Sequence, residues 1–219
     1  MVLEEVNVDL ANGYTQEEVD NLFVKLNEAY ENLEQAIDLS EVVNIPDEYL
    51  KSAIKAQLNI SSDAITIGDI YNLIELNAIG YGISNLEGLQ YAKNLESLNI
   101  QYNEIKNLVP IKNLEKLTDV KAMYQNIVAG SLYKKDNKIT INFDVINRKG
   151  EKLNPTQIIV RNNKTLEDTI LNVEECIDEN GLISFDTVEF DQFMHTVYLG
   201  YEDREDNYLA QVIYMFDNR

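Results

Sequence analysis

The apolar positions of this chain change their period twice. In TQEEVDNLFVKLNEAYENLEQAI, residues 15–37, Val19, Leu22, Phe23, Leu26, Ala29, Tyr30, Leu33, Ala36 and Ile37 step by three and four, one face of an amphipathic helix. Thr15 and Glu18 have capping-box spacing, where each side chain satisfies the other's backbone N–H, and ANGY before them reads as a turn. A single helix cannot bury its own stripe, so this one needs residues 2–10, the next segment or more of a longer chain against it. A second helical start follows at Pro46, whose missing N–H costs nothing there, with Leu50, Ile54 and Leu58 as its stripe. Thr66 and Asp69 repeat the start signal.

The pattern then becomes neither helical nor alternating. In LESLNIQYNEIKNL, residues 95–108, apolar residues stand at intervals of three, two, five and three. The intervals recur with a shift of 22 residues: Leu73, Leu95 and Leu117; Leu76, Leu98 and Val120; Ala78, Ile100 and Ala122; Ile83, Ile105 and Ile127. Leu86 matches Leu108 and Leu89 matches Ile111. The steps of two predict a short strand and the later steps of three a 3₁₀-like return, so stacked coils would bury all the columns together. An asparagine after the strand would bond the turn with its side chain. Only Asn103 fills that column, and Tyr81 and Gln125 read as terminal or degenerate members.

Beyond residue 131 the period becomes two. KITINFDVI puts Ile139, Ile141, Phe143 and Val145 on one face, and TQIIVRN, LISFDTVEF, HTVYLGYED and YLAQVIYMF follow, separated by turns such as NRKG and DENG. Short strands without helices between them predict a β-sandwich.

The spacing L-x-x-L-x-L-x-x-N-x-I-x-x-L-x-x-L is the leucine-rich repeat pattern. Residues 45–127 resemble the helical cap and repeats of internalin-type surface proteins of Gram-positive bacteria. The array is very short and breaks off after Ile127. ANGYTQEEVDNLFVKLNEAYENLEQ resembles the later part of a FIVAR module, a small helical unit of bacterial surface proteins. The internalin resemblance implies an immunoglobulin-like domain after the repeats, although the Cys…Trp…Cys signature is absent. It also implies a secreted or cell-wall-attached protein whose signal and anchor lie outside this piece. The expected fold is α+β: a helical segment (1–42), a helical cap with a short leucine-rich repeat solenoid (43–130) and an immunoglobulin-like β-sandwich (131–219).

Charge narrows the partners. With 38 acidic and 18 basic residues the formal charge is −20, which argues against nucleic-acid binding and against an anionic membrane surface. No apolar run is long enough to span a bilayer, and the start MVLEEVNVDL reads as an internal segment behind a Met rather than a secretory leader. Cys176 stands alone, so no intrachain disulfide or cysteine zinc site can form, and its acidic neighbours argue for an inert thiol.

Chemistry is thin. His195 reads as a surface or edge histidine. Asp191 four residues before it suits a pair of helical metal ligands, with no third in view. No Gly-rich phosphate loop is present and no cofactor is expected. Two acidic clusters are weak calcium candidates, Glu174, Glu175, Asp178 and Glu179, and Glu202, Asp203, Glu205 and Asp206 at an expected hairpin tip; neither has EF-hand order, and both read first as solvated loops. The stronger candidate is the concave face of the repeats. Alternation places Asn77 and Ile79 there from the first coil, Ser97, Asn99, Gln101 and Tyr102 from the second, and Asp119, Lys121, Met123 and Tyr124 from the third. A Tyr102–Tyr124 pair with Met123 and Ile79 nearby has the composition of a recognition patch for a protein or glycan ligand. These features point to a non-enzymatic surface module for interaction or adhesion. The alternative is a carbohydrate-binding or spacer region of a larger secreted enzyme.

Overall fold

The computed structural model describes residues 15–34 and 38–218, apart from the side chains of Gln16 and residues 28–34. The chain forms two compact units, residues 1–39 and 40–219. In the first, α1 (Gln16–Glu34) is opened by the expected reciprocal cap: Thr15 N–H donates to Glu18 Oε2 at 2.8 Å and Glu18 N–H to Thr15 Oγ1 at 3.3 Å. Val19, Phe23 and Leu26 of its stripe are exposed and Leu22 is half-buried. Residues 2–10, ANGY and the end of the FIVAR-like match lie outside the described residues.

The second unit begins with its cap. Asp47 is the N-cap of α2 (Glu48–Leu58), and its Oδ1 accepts from the N–H groups of Tyr49 and Leu50, each at 3.0 Å. Its Oδ2 accepts from Ser84 N–H at 2.8 Å, Asn85 N–H at 3.0 Å and the Ser84 hydroxyl at 3.1 Å. Thus one buried carboxylate joins the helix start to the first coil. Burial pushes this carboxyl up, but the donors from Ser84, Leu50 and Asn85 outweigh it and hold it below the ordinary range. A short α3 (Ile67–Tyr71) follows, closed by the Thr66–Asp69 capping box.

Three coils then stack. Strands β1 (Glu75–Asn77), β2 (Ser97–Asn99) and β3 (Asp119–Leu132) pair in parallel, with Leu76, Leu98 and Val120 in register. Leu76 and Leu98 are buried and Val120 packs on the same core. The return path passes through 3₁₀ turns at Leu89–Tyr91 and Val109–Ile111, as the steps of three predict. At Gly88, a Cβ would stand 2.7 Å from Ile45 Cγ1, so the cap can close on the coil only over a bare backbone.

The turn after each strand is held by a buried amide. Asn103 Nδ2 donates to the carbonyls of Ala78, Ile100 and Gln101 at 2.8, 2.9 and 3.2 Å, and its Oδ1 accepts from Gly82 and Ile83 N–H at 2.9 Å each. Gln125 is no degenerate member. Its Nε2 donates to Ile100, Ala122 and Met123 carbonyls, the same three sequence offsets, and its Oε1 accepts from Ile105 N–H at 3.1 Å. One extra methylene lets glutamine do the work of asparagine where the array ends.

Strand β3 does not stop with the coil. It runs on to Leu132 and pairs in parallel with β9 (Tyr208–Asp217). The sheet continues through β8 (Met194–Asp203), β5 (Gln157–Asn162) and β6 (Asp168–Leu171), so one seven-stranded sheet, in order β1-β2-β3-β9-β8-β5-β6, spans the unit. A two-stranded sheet of β4 (Lys138–Ile141) and β7 (Ile183–Asp186) buries Ile139, Ile141, Ile183 and Phe185 in the same core as Ile158, Val160, Val197, Leu199, Val212 and Phe216. The expected KITINFDVI strand ends early, although Val145 stays buried. A one-turn α4 (Val173–Cys176) and β6 are additions to the expected elements. The joint between coils and sandwich is stitched further: Tyr208 Oη donates to Ile105 O at 2.8 Å, Leu108 N–H to Ile146 O at 3.0 Å, and Ile146 N–H to Lys106 O at 2.8 Å. No helix among the described residues is long and apolar enough to cross a membrane.

Replacing Asn103 by Ala is expected to cost at least about 3 kcal/mol, because it strands several buried backbone groups, whereas Asn99→Ala stays within about 0.5 kcal/mol. Urea unfolding of the two variants checks this. Asp47 has a depressed value in the folded state, so its stabilisation is complete above the unfolded aspartate value of about 3.9 and is lost as pH falls through the folded one. Asp47→Asn should therefore lower stability at pH 7 by about 1–3 kcal/mol and flatten the loss of stability below about pH 4. Unfolding curves taken at a series of pH values decide it.

Candidate binding face

The strand side of the coils carries four exposed or half-buried columns. Glu75, Ser97 and Asp119 stand in register, as do Asn77, Asn99 and Lys121. Asp119 accepts from the Ser97 hydroxyl at 2.9 Å and pairs with Lys121 at 3.3 Å; the Ser97 bond first and Lys121 second hold this carboxyl below its usual range. Ile79, Gln101 and Met123 make the third column, with Ile79 exposed and the other two half-buried. The fourth is Gly80, Tyr102 and Tyr124.

This fourth column is set by backbone conformation rather than by the simple alternation that suggested it. Gly80, Tyr102 and Tyr124 have φ of 67°, 59° and 65°, the left-handed turn by which each coil leaves its strand. Gly80 N–H donates to Gln101 O at 2.9 Å and Tyr102 N–H to Met123 O at 3.2 Å, so the three residues lie side by side, one coil apart. The next residue inward is the buried amide of Asn103 or Gln125, which throws the preceding side chain outward. Glycine takes this conformation freely. A tyrosine pays about 1–3 kcal/mol for it. The two rings stack face to face, centroids 4.8 Å apart and 17° from parallel, an interaction worth about 0.5–1.5 kcal/mol for the pair. Two strained residues thus cost more than their contact returns. Tyr102 keeps 56% and Tyr124 42% of its surface exposed.

All ten residues expected on this face are exposed or half-buried. Glu75 and Gly80 belong with them. The same 22-residue spacing that aligned Ser97 with Asp119 points to Glu75, and the one that aligned the tyrosines points to Gly80. A hollow of about 300 Å³ between Met123 and the β8–β9 hairpin, lined also by Glu202, Arg204, Asn207, Tyr208 and Leu209, borders the third coil.

The other candidates separate from this face. Each carboxylate of the hairpin tip already has partners: Glu202 with Arg204 at 2.8 Å, Glu205 with Lys149 at 2.6 Å, and Asp206 with Arg148 Nε at 3.4 Å. Asp203 accepts from Asn147 Nδ2 at 3.1 Å and from Glu205 N–H at 3.0 Å. Asp206 is buried, so the tip is a folded clasp on the 147–149 turn rather than a solvated loop. In the other cluster Asp178 Oδ1 accepts from the N–H groups of Asn180 and Leu182, and Glu175 from Asn172. Among the described residues no group of three or more His, Cys, Asp or Glu could hold a metal ion. Cys176 is buried, and burial first and Glu175 second push its thiol up.

His195 is not at the surface: only 2% of it is exposed, and its ring stacks on Phe216 at 5.1 Å. Its Nδ1 lies 2.8 Å from Phe193 O and its Nε2 3.4 Å from Asp191. The alternation of β8 turns this residue inward, so the Asp191–His195 pair closes one end of the sandwich core.

No family model matches the sequence. Internalin H of Listeria monocytogenes is 33% identical over 89 residues, 39% of this chain and 16% of that protein. Two solved structures of CBM51-2 and INT domains from Clostridium perfringens ZmpB, one with CBM51-2 in complex with GlcNAc, are each 29% identical over 99% of this chain, with TM-scores of 0.73 and 0.74. The chain spans 49% of the ZmpB chains and a smaller share of the internalin.

Tyr102→Gly is expected to leave the unfolding free energy within about 1 kcal/mol of the parent, relief of the left-handed strain offsetting the lost stack. Leu98→Ala, one column inward, is expected to cost about 2–5 kcal/mol. Guanidinium unfolding of both separates a residue kept for its surface from one kept for the core.

Proposed function

We propose that this chain is a non-catalytic display module of a secreted or wall-attached protein, and that its strand face binds a protein or glycan ligand. The observation that carries the reading is the Tyr102–Tyr124 stack: two exposed aromatic rings held in a backbone conformation that folding alone would fill with glycine. Partial identity to internalin H over 89 residues supports a leucine-rich repeat reading of the coils. The strand order β3-β9-β8-β5-β6 facing β4-β7 supports an immunoglobulin-like sandwich after them. On this reading residues 1–42, 43–130 and 131–219 are the helical, repeat and sandwich parts. The mechanism is rigid presentation: β3 belongs to both the coils and the sandwich, so face residues meet a ligand with little freedom left to lose.

A second reading has its own support. The ZmpB chains carry this kind of fold together with a carbohydrate-binding module, over 99% of the present chain. On that reading the chain is an accessory or spacing region of a larger secreted enzyme, and its face serves carbohydrate recognition or none.

Arrays of purified extracellular proteins and of glycans, probed with the parent and with a Tyr102→Ala/Tyr124→Ala double variant of unchanged thermal midpoint, test both. Binding that falls at least tenfold in the double variant is the expected result. Equal binding by the two, or none on either array, would overturn the binding role and leave the spacer.

A further inference from the structure

The left-handed column contains three positions but only two rings. Tyr124 stands beside Tyr102 as Tyr102 stands beside Gly80, with the same backbone conformation and the same inter-coil bonds. Extending the stack by one coil would place a third ring over Gly80, on the face of Tyr102 that looks away from Tyr124. Glycine leaves that space open: a Cβ built there meets nothing within 4 Å except Tyr102 O, at 4.0 Å. Along the chain the space is flanked by Ile79 and Tyr81, both exposed, and across the coil by Gln101. Tyr49 lies at the next turn, its ring 3.9 Å from where a Gly82 Cβ would be.

From this geometry we infer that the space above Gly80 is a slot for one neutral pyranose unit of a glycan, its C–H face on the ring of Tyr102. The inference rests on the binding role proposed for this face and names its ligand class. Three features select a sugar over the other ring-shaped candidate, an aromatic side chain of a protein. First, the slot has one aromatic wall and an open top, which suits a ring with one apolar face. Second, its edge carries polar groups, the Tyr81 and Tyr102 hydroxyls and the Gln101 amide, which equatorial hydroxyls can meet; a phenyl or indole edge would cover them without pairing. Third, none of the flanking residues is charged, in a chain whose formal charge is −20. A neutral ring therefore enters without stripping an ion of water, while uronic and sialic acids meet repulsion from the whole molecule. The coil spacing of about 4.8 Å is close to the length of one pyranose residue, so a chain of sugars can run from the slot along the strand face past Asn77 and Asn99.

Saturation-transfer NMR with the full chain and methyl glycosides of glucose, galactose, mannose and N-acetylglucosamine tests the slot, with N-acetyltryptophanamide and methyl glucuronide as comparison probes. Asn is the side chain that best tolerates a left-handed backbone, so Gly80→Asn fills the slot without forcing the turn. The expected result is transfer to the ring protons of at least one neutral glycoside, reduced more than fivefold in Gly80→Asn and in Tyr102→Ala, kept in Tyr102→Phe, and weaker for the glucuronide. Transfer only to N-acetyltryptophanamide would overturn the sugar in favour of a protein ligand, and sugar binding untouched by Gly80→Asn would overturn the slot. If the array ligands of the preceding test bind and lose affinity in the double tyrosine variant while no glycoside binds here, the slot fails and the binding role stands. If the double variant changes nothing on the arrays, the wider reading fails with it.

Discussion

Asn103 and Gln125 each commit a whole side-chain amide to backbone groups inside the coils, donating to three carbonyls and accepting from the N–H groups of the neighbouring coil. In a dry interior those groups have no water to turn to, so the amide decides where the chain leaves the strand. The residue just before it must then take the left-handed conformation and point away from the core. Inside, the constraint selects Asn or Gln. Outside, it creates a row of positions, 80, 102 and 124, whose side chains are free of any packing duty. What occupies that row reflects use more than stability, which is why the tyrosines and the glycine are informative.

The second constraint is the unbroken strand β3. Its first residues close the stack of coils and its last residues open the sandwich, and Ala122 N–H accepts a partner in Asn207 O at 3.2 Å just where the ladder passes from one to the other. Asn207 itself adopts a left-handed φ of 46° to make that contact. The β8–β9 hairpin thereby takes the place that a fourth coil would fill, and its acidic tip is fastened to the 147–149 turn by Arg148 and Lys149.

Much of this was legible in the residues. The 22-residue register named the buried columns of the coils, and its in-between positions named ten residues of the face. Four other features were not legible, each for a physical reason. Gln125 hid because the sequence pattern asks for asparagine, while the structure asks only for an amide that reaches three carbonyls. His195 hid because its strand begins at Met194, one residue earlier, so the alternation that buries it starts in what reads as a loop. The tyrosines were placed on the face by alternation, whereas a left-handed turn puts them there. The continuity of β3 was invisible because the pattern changes meaning at Ile127 without a turn residue to mark it.

The pairing of β3 with β9 has a mechanical corollary. The two strands run parallel and adjacent, one leading the chain into the sandwich and the other leading it out. Tension drawn along the chain therefore loads their whole ladder in shear, all its bonds at once, instead of peeling them one after another. A module anchored at one end and holding a ligand at the other would give way late, as a stiff link.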